Sequence, residues 1–308
     1  MAQKRNVTFA QEFAAGAGAG VSEILIMYPL DVVKTRLQLQ QSKGPLTESY
    51  RGVVDCFAKI IRHEGFGRLY RGITVPILME TPKRAVKFSS NDVFTRQYLR
   101  LLGAQKVDQT VATLAGSSAG AVEAVVVTPF ELVKVRLQDP SVASRYQSVS
   151  QCVTQIINRE GLFVLYQGFE VTLWRHVVWN AGYFGSIFKV KAALPTPTND
   201  FEQTLTSFVA GSIGGSLGTV LNTPLDVVKT RIQAATRAKG AATTSKYNWA
   251  FPALVTVARE EGIRGLYKGL TAKLLRFCPG GGILLVAHSQ ILKLFEAANS
   301  GKPLEQDL

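Results

Sequence analysis

The sequence predicts an all-α membrane protein built from three pseudo-symmetric repeats, with six transmembrane helices and three shorter helices between them. Three observations predict it. The stretch "PLDVVKTRLQ" at 29–38 returns as "PFELVKVRLQ" at 129–138 and "PLDVVKTRIQ" at 224–233. A second signature follows each, "EGFGRLYRG" at 64–72, "EGLFVLYQG" at 160–168 and "EGIRGLYKG" at 261–269. Each unit also holds two long apolar segments. A sequence that repeats itself at a near-fixed period fixes the architecture before any local reading. The repeats are placed at 1–105, 106–198 and 199–308, the last ending in the polar tail "SGKPLEQDL".

The long segments run over 9–38 and 73–99, 109–138 and 169–194, and 202–233 and 270–297. Each meets the ~20 residues that a membrane helix needs. Glu23, Glu80, Lys87, Glu123, Arg175 and Arg276 interrupt them, which also admits the core helices of a soluble α-protein. Small residues weigh against that alternative. "GAGAG" at 16–20, "GSSAG" at 116–120 and "GSIGG" at 211–215 stand at equivalent places before the repeated proline. Small residues four apart let helix backbones approach closely in a membrane. Between the long segments, the stretches 51–63, 147–159 and 248–260 read as amphipathic helices lying on the membrane surface. A tyrosine (Tyr50, Tyr146, Tyr247) stands fourteen residues before each repeated glutamate.

Composition sets bounds. Of 308 residues, 46% are hydrophobic and 19% charged, with a formal charge of +13. A basic chain attracts nucleic acid, anionic lipid or a small anion. Nucleic acid is set aside, because zinc-finger spacing, a basic region with heptads and an aromatic RNA-binding signature are all missing. Cys56, Cys152 and Cys278 lie far apart and form no C-x-x-C pair. H-E-x-x-H and the phosphate-binding loop are missing, and the two G-x-S-x-G matches, 116–120 and 214–218, lie inside long apolar segments and not at a strand-to-helix turn, so no enzyme, cofactor or metal is expected. The first twenty residues read as neither signal nor transit peptide, which makes any targeting information internal.

The repeated proline sits inside a helical run, where it removes one backbone hydrogen bond and bends the helix. Asp31, Glu131 and Asp226 follow two residues later, and Lys34, Lys134 and Lys229 three after those. At that spacing acid and base share a helix face. One reading is three local surface pairs. The threefold repetition favours another, in which the acid of one unit meets the lysine of the next and closes a ring across one end of a six-helix bundle. Gln38, Gln138 and Gln233, one turn beyond the lysines, are expected to brace those pairs.

The element P-x-[D/E]-x-x-K-x-x-x-Q followed by E-G-x-x-x-x-Y-x-G, three times over nearly the whole chain, resembles the mitochondrial carrier family. The resemblance implies location in the mitochondrial inner membrane, short helices on the matrix side and strict exchange by alternating access. It makes the acid–lysine ring a matrix gate. It also implies a cytoplasmic gate on the even helices, for which only Asp92 and Lys191 keep suitable charges, so one pair at most forms there. Anionic lipid, cardiolipin among the candidates, is expected at the N-termini of the surface helices through their dipoles. The protein is expected to be a monomer.

Substrate residues should break the threefold symmetry, since a small substrate has none. Seven residues past Gly72, Gly168 and Gly269 stand Met79, Arg175 and Arg276, and eight past stand Glu80, His176 and Phe277. Seven residues are about 10 Å of helix, which in the family resembled is the level of substrate contact. An arginine at membrane depth costs ~2.5–3.5 kcal/mol on insertion scales and generally faces a watery cavity. Two arginines on different helices suit two separated carboxylates, each held bidentately. The alternative is an arginine paired with an acid, for which Glu23 and Glu123 are candidates. His176 either donates to a keto oxygen or is a packing or lipid-side residue. Within "ETPKRAVKF" at 80–88, Glu80, Arg84 and Lys87 share a face, and Lys83 is assigned to a neighbouring one.

Arg175–His176 at this level resembles the keto- and carboxylic-acid carriers of the family. The expectation is exchange of 2-oxodicarboxylates such as 2-oxoadipate and 2-oxoglutarate. The rival is a di- or tricarboxylate carrier for citrate or malate. Met79 and Glu80 weigh against a trianion, because they occupy the place of a third cation. A proton-leak protein and a non-transporting membrane adaptor are the readings from other classes.

Overall fold

The computed structural model describes residues 8–40, 50–140, 145–146, 148–194, 200–235 and 247–300. The tail 301–308 and the side chain of Lys191 lie outside the described residues. Among the described residues there are nine α-helices and no strand. These are α1 (Phe9–Leu39), α2 (Val53–Glu64), α3 (Thr74–Leu101), α4 (Gln109–Gln138), α5 (Val149–Arg159), α6 (Phe169–Ala193), α7 (Asp200–Ala234), α8 (Ala250–Leu266) and α9 (Leu270–Ser300). Short 3₁₀ turns, Phe66–Tyr70 and Leu162–Tyr166, join the first two surface helices to α3 and α6.

The second signature explains these joints. The glycine after each repeated glutamate (Gly65, Gly161, Gly262) has φ between 71° and 102°. The glycine that closes the signature (Gly72, Gly168, Gly269) has φ between 78° and 82°. Only glycine enters that region without a steric cost. The first glycine therefore ends the surface helix, or breaks it at Gly262 inside α8, and the second turns the chain into the next long one.

The six long helices pack in chain order, and α9 closes back on α1. Pro29, Pro129 and Pro224 lie inside α1, α4 and α7. Close approach between helices uses glycine: a Cβ on Gly182 of α6 would stand 2.9 Å from the Cα of Gly218 on α7. The polarity is that of a membrane protein. Leu25, Ile26, Leu114, Val125, Trp174 and Leu221 are exposed on the outside, and charged side chains line the inside. By length and hydropathy alone, three of the six long helices qualify as spans among the described residues: Gln11–Leu39, Gln109–Gln138 and Leu270–Phe295. Charges of the cavity and the ring stand on both sets of helices, so hydropathy alone does not separate the six.

Each repeat builds its own apolar core where its odd helix meets its surface helix. In the first, Tyr28, Val32, Val33 and Leu37 of α1 pack on Cys56 and Ile60 of α2. The second uses Leu132, Val133 and Leu137 with Cys152 and Ile156, and the third Leu225, Val228 and Ile232 with Ala253 and Val257. A bidentate ion pair closes each core. Arg36, Arg136 and Arg231, two residues past the ring lysines, reach Glu64, Glu160 and Glu261 at 2.5–3.1 Å. Sequence reasoning missed these arginines, although they repeat as strictly as the lysines.

Cys56 and Cys152 are fully buried, and burial pushes both thiols up to about 12. Since the thiolate is the reactive form, both cysteines should resist maleimide at pH 7.5. The check is mass spectrometry of a Cys278→Ser variant, with no label before detergent denaturation and two labels after it.

Candidate functional site: a charged cavity over an ion-pair ring

The six helices enclose a cavity of about 390 Å³ whose wall includes Arg175, His176, Arg276, Lys87, Glu80 and the three ring acids. Its floor is the ring. Asp31 of α1 holds Lys134 of α4 at 2.8 Å, Glu131 of α4 holds Lys229 of α7, and Asp226 of α7 holds Lys34 of α1 at 2.8 Å. The acid of each repeat thus meets the lysine of the next. Local pairing within each helix does not occur at these acids.

The ring acids also hold cations of the cavity wall. Arg276 donates to Asp31 at 2.5 Å and to Glu23 at 3.0 Å. Arg175 donates to Glu131 at 3.5 Å and lies 3.8 Å from Asp226. Lys273, one turn before Arg276, reaches Asp226 at 2.9 Å. The two readings of the arginines therefore coexist: both face the cavity, and both are paired. Glu23 is a partner as anticipated, but Arg175 takes ring acids and makes no ion pair with Glu123. Lys273 escaped the sequence reading. Its equivalents four residues past the closing glycine are Pro76 and Thr172, so the same break in symmetry marks it.

His176 lines the cavity with its Cβ side packed on Gly120 of α4, where an added Cβ would come within 2.7 Å. The lipid-side reading is thereby excluded. On α3, Glu80 is 3% exposed and takes both Lys83 at 2.5 Å and Arg84 at 2.6 Å. Here the reading of Lys83 needs correction. Three residues along a helix return to nearly the same face, and Lys83 stands in the cavity wall beside Glu80. Arg84 instead lies over Gly20 of α1, whose missing side chain leaves room for the Glu80–Arg84 pair.

The glutamines also differ from expectation. Gln38 accepts from the Thr230 hydroxyl at 2.8 Å, and Gln138 donates to the Tyr28 hydroxyl at 3.0 Å. The Gln233 amide is buried without a hydrogen-bond partner. Two of the three thus cross to another repeat and bond a hydroxyl beside the ring. Tyr28 in turn places its ring 5.3 Å from the Lys134 ammonium. At the far end of α3, Asp92 is exposed and paired with Arg96 of its own helix at 2.6 Å.

Asn222 was also missed. It lies in the cavity wall, 3% exposed, with its Oδ1 unpartnered. Met27 and Val127 occupy the equivalent positions. A buried acceptor without a donor is costly, and a ligand group that donates would satisfy it.

Comparison with known proteins identifies the family and its relatives. The family described as mitochondrial carrier protein matches residues 5–101, 106–197 and 201–299. The mitochondrial citrate transporter D of Aspergillus niger is 53% identical over 295 residues, covering 95% of this chain and 96% of its own. The mitochondrial 2-oxodicarboxylate carrier 1 of Saccharomyces cerevisiae is 48% identical, over 97% of each chain. The mitochondrial 2-oxodicarboxylate carrier of Rattus norvegicus is 42% identical, over 90% of this chain and 92% of its own.

Proposed function

The chain belongs to the mitochondrial carrier family and is a multi-pass protein of the mitochondrial inner membrane; from that premise we propose that it exchanges 2-oxodicarboxylates, 2-oxoadipate and 2-oxoglutarate among them, by alternating access. The observation that carries the reading is the pair Arg175 and Arg276. They stand on different helices at one depth, facing one cavity, and each is already bound to a carboxylate of the ring. The two carboxylates of a substrate offer each guanidinium the same partner that the protein offers it. Asp31, Glu131 and Asp226 are shared between cavity and ring. A dianion that recruits Arg175 and Arg276 therefore redistributes the charges of the matrix gate formed by Asp31, Lys34, Glu131, Lys134, Asp226 and Lys229. His176 supplies a polar group beside Arg175 for the keto oxygen. With the ring closed, the cavity takes substrate from the cytoplasmic side, where Asp92 and Lys191 would pair in the opposite state. The same reading includes a monomer, with anionic lipid at the N-termini of α2, α5 and α8.

A second reading, citrate exchange, is favoured by two observations. One is the Aspergillus niger relative. The other is Lys273, an inward cation one turn from Arg276, which adds to the two arginines at the substrate level. Uptake of labelled 2-oxoglutarate into liposomes loaded with 2-oxoadipate, citrate, malate or ADP separates the two. Uptake against internal 2-oxoadipate several-fold above that against citrate is the expected result. The reverse order assigns the protein to tricarboxylates, and no uptake against any load removes the exchanger reading.

A further inference from the structure

The central cavity has an annex. A second space of about 380 Å³, lined from α1, α6, α7 and α9, continues the central cavity and shares with it the charges Glu23, Asp31, Lys34, Lys273 and Arg276, together with Trp179 and Thr219. Its floor is ionic, but its walls are not: Leu30, Ala272, Leu284 and the Trp179 ring supply them.

Symmetry singles out the same place. Eleven residues past the closing glycines, one turn beyond Arg175 and Arg276, stand Lys83, Trp179 and Gly280. One repeat offers a cation, the next the largest side chain, and the third no side chain at all. Trp179 is held in position by stacking on Tyr183, with ring centroids 4.9 Å apart and planes 7° apart. At Gly280 a Cβ would stand a tight 3.2 Å from the Glu23 carboxylate that holds Arg276. Gly281 has no such constraint. A Cβ there meets nothing within 4 Å, so this glycine leaves open a space that a side chain of its own could fill.

We infer that this annex is a chain-length subsite, in which the methylene segment of the diacid lies against Trp179 and Leu284 while its terminal carboxylate is held by Arg276. The inference rests on the oxodicarboxylate reading above and adds which substrates of that class are preferred. A polymethylene chain matches apolar walls and an ionic floor. Each methylene lodged there is worth about fourfold in affinity, from ~0.8 kcal/mol per buried group.

The test fills the annex from its open side. Gly281→Leu and Gly281→Ala carriers, reconstituted in liposomes, are compared with the unmodified protein for exchange of 2-oxoglutarate, 2-oxoadipate and 2-oxopimelate, which lengthen by one methylene at each step. The expected result for Gly281→Leu is a fall of about tenfold in the 2-oxopimelate to 2-oxoglutarate ratio of uptake efficiency. Gly281→Ala should lower the same ratio by two- to fourfold. Normal exchange with an unchanged length profile in both variants overturns the subsite and leaves the substrate reading standing. If Gly281→Leu loses all exchange, the Gly281→Ala profile decides. If the unmodified protein exchanges none of the three diacids, the substrate reading and the subsite fall together.

Discussion

Arg175→Ala and Arg276→Ala should each lower 2-oxodicarboxylate exchange at least ~30-fold. Removing one member of a buried, hydrogen-bonded charge pair costs about 2–5 kcal/mol, or ~30- to 5000-fold in affinity. The structure separates the two variants by their effect on the fold. Without Arg175, Glu131 keeps Lys229 and Asp226 keeps Lys34 and Lys273, so thermal unfolding in detergent should stay close to that of the unmodified protein. Without Arg276, Asp31 keeps Lys134, but Glu23 loses its arginine, so that variant should also melt earlier. Lysine at either place restores charge but not the two-pronged grip, and should recover only part of the exchange. Unimpaired exchange by Arg175→Ala would remove Arg175 from the substrate site.

Glu160→Ala should lower the unfolding temperature by roughly 10 °C, from ~3–5 kcal/mol lost when one partner of a buried pair is removed. Arg136 is entirely buried and bidentate to Glu160. It also bonds the backbone carbonyls of Gln233 and Ala235 in the third repeat and the Tyr146 side chain, which are dipoles and not charges. Glu261→Ala should be similarly damaging, because the Arg231 and Glu261 side chains are 2% and 3% exposed. Glu64→Ala should cost less. Burial raises the Glu64 carboxyl, but Arg36 and Arg68 more than offset this and hold it below the usual carboxylate range. Its side chain is 27% exposed, so water screens what is lost. Differential scanning fluorimetry of the three variants in one detergent gives the order, and equal melting temperatures would contradict it.

The fold was legible because one physical requirement was written three times. The ring followed from the threefold repetition: an acid and a lysine on one face can pair locally, but the same pair written three times favoured closure between repeats. What escaped was of two kinds. Arg36, Arg136 and Arg231 bond residues about 25–30 positions away in sequence, and helical spacing is silent on such partners even when the repeat displays both of them. Lys273 and Asn222 were lost differently. Counting seven and eight residues past the glycines reaches one depth of the even helices, whereas Lys273 lies a turn before it and Asn222 stands on the odd helix α7. The glutamines show the opposite limit. One turn beyond the lysine is the right address for the ring's neighbourhood, but the hydroxyl that Gln38 or Gln138 bonds belongs to another repeat, which no periodicity within one helix can name.

The cavity wall carries almost as many carboxylates as cations: Glu23, Asp31, Glu80, Glu123, Glu131 and Asp226 face Lys34, Lys83, Lys87, Lys134, Arg175, Lys273 and Arg276. These charges are covalently part of the chain, and in the proposed exchange they return to their starting places at the end of each cycle. The electrical work of a cycle is then set by the cargo alone. Swapping one dianion for another moves no net charge, and the membrane potential leaves it unbiased. Swapping a dianion for a trianion moves one, worth ~2.3 kcal/mol per 100 mV, so the voltage across the membrane would drive such an exchange in one direction.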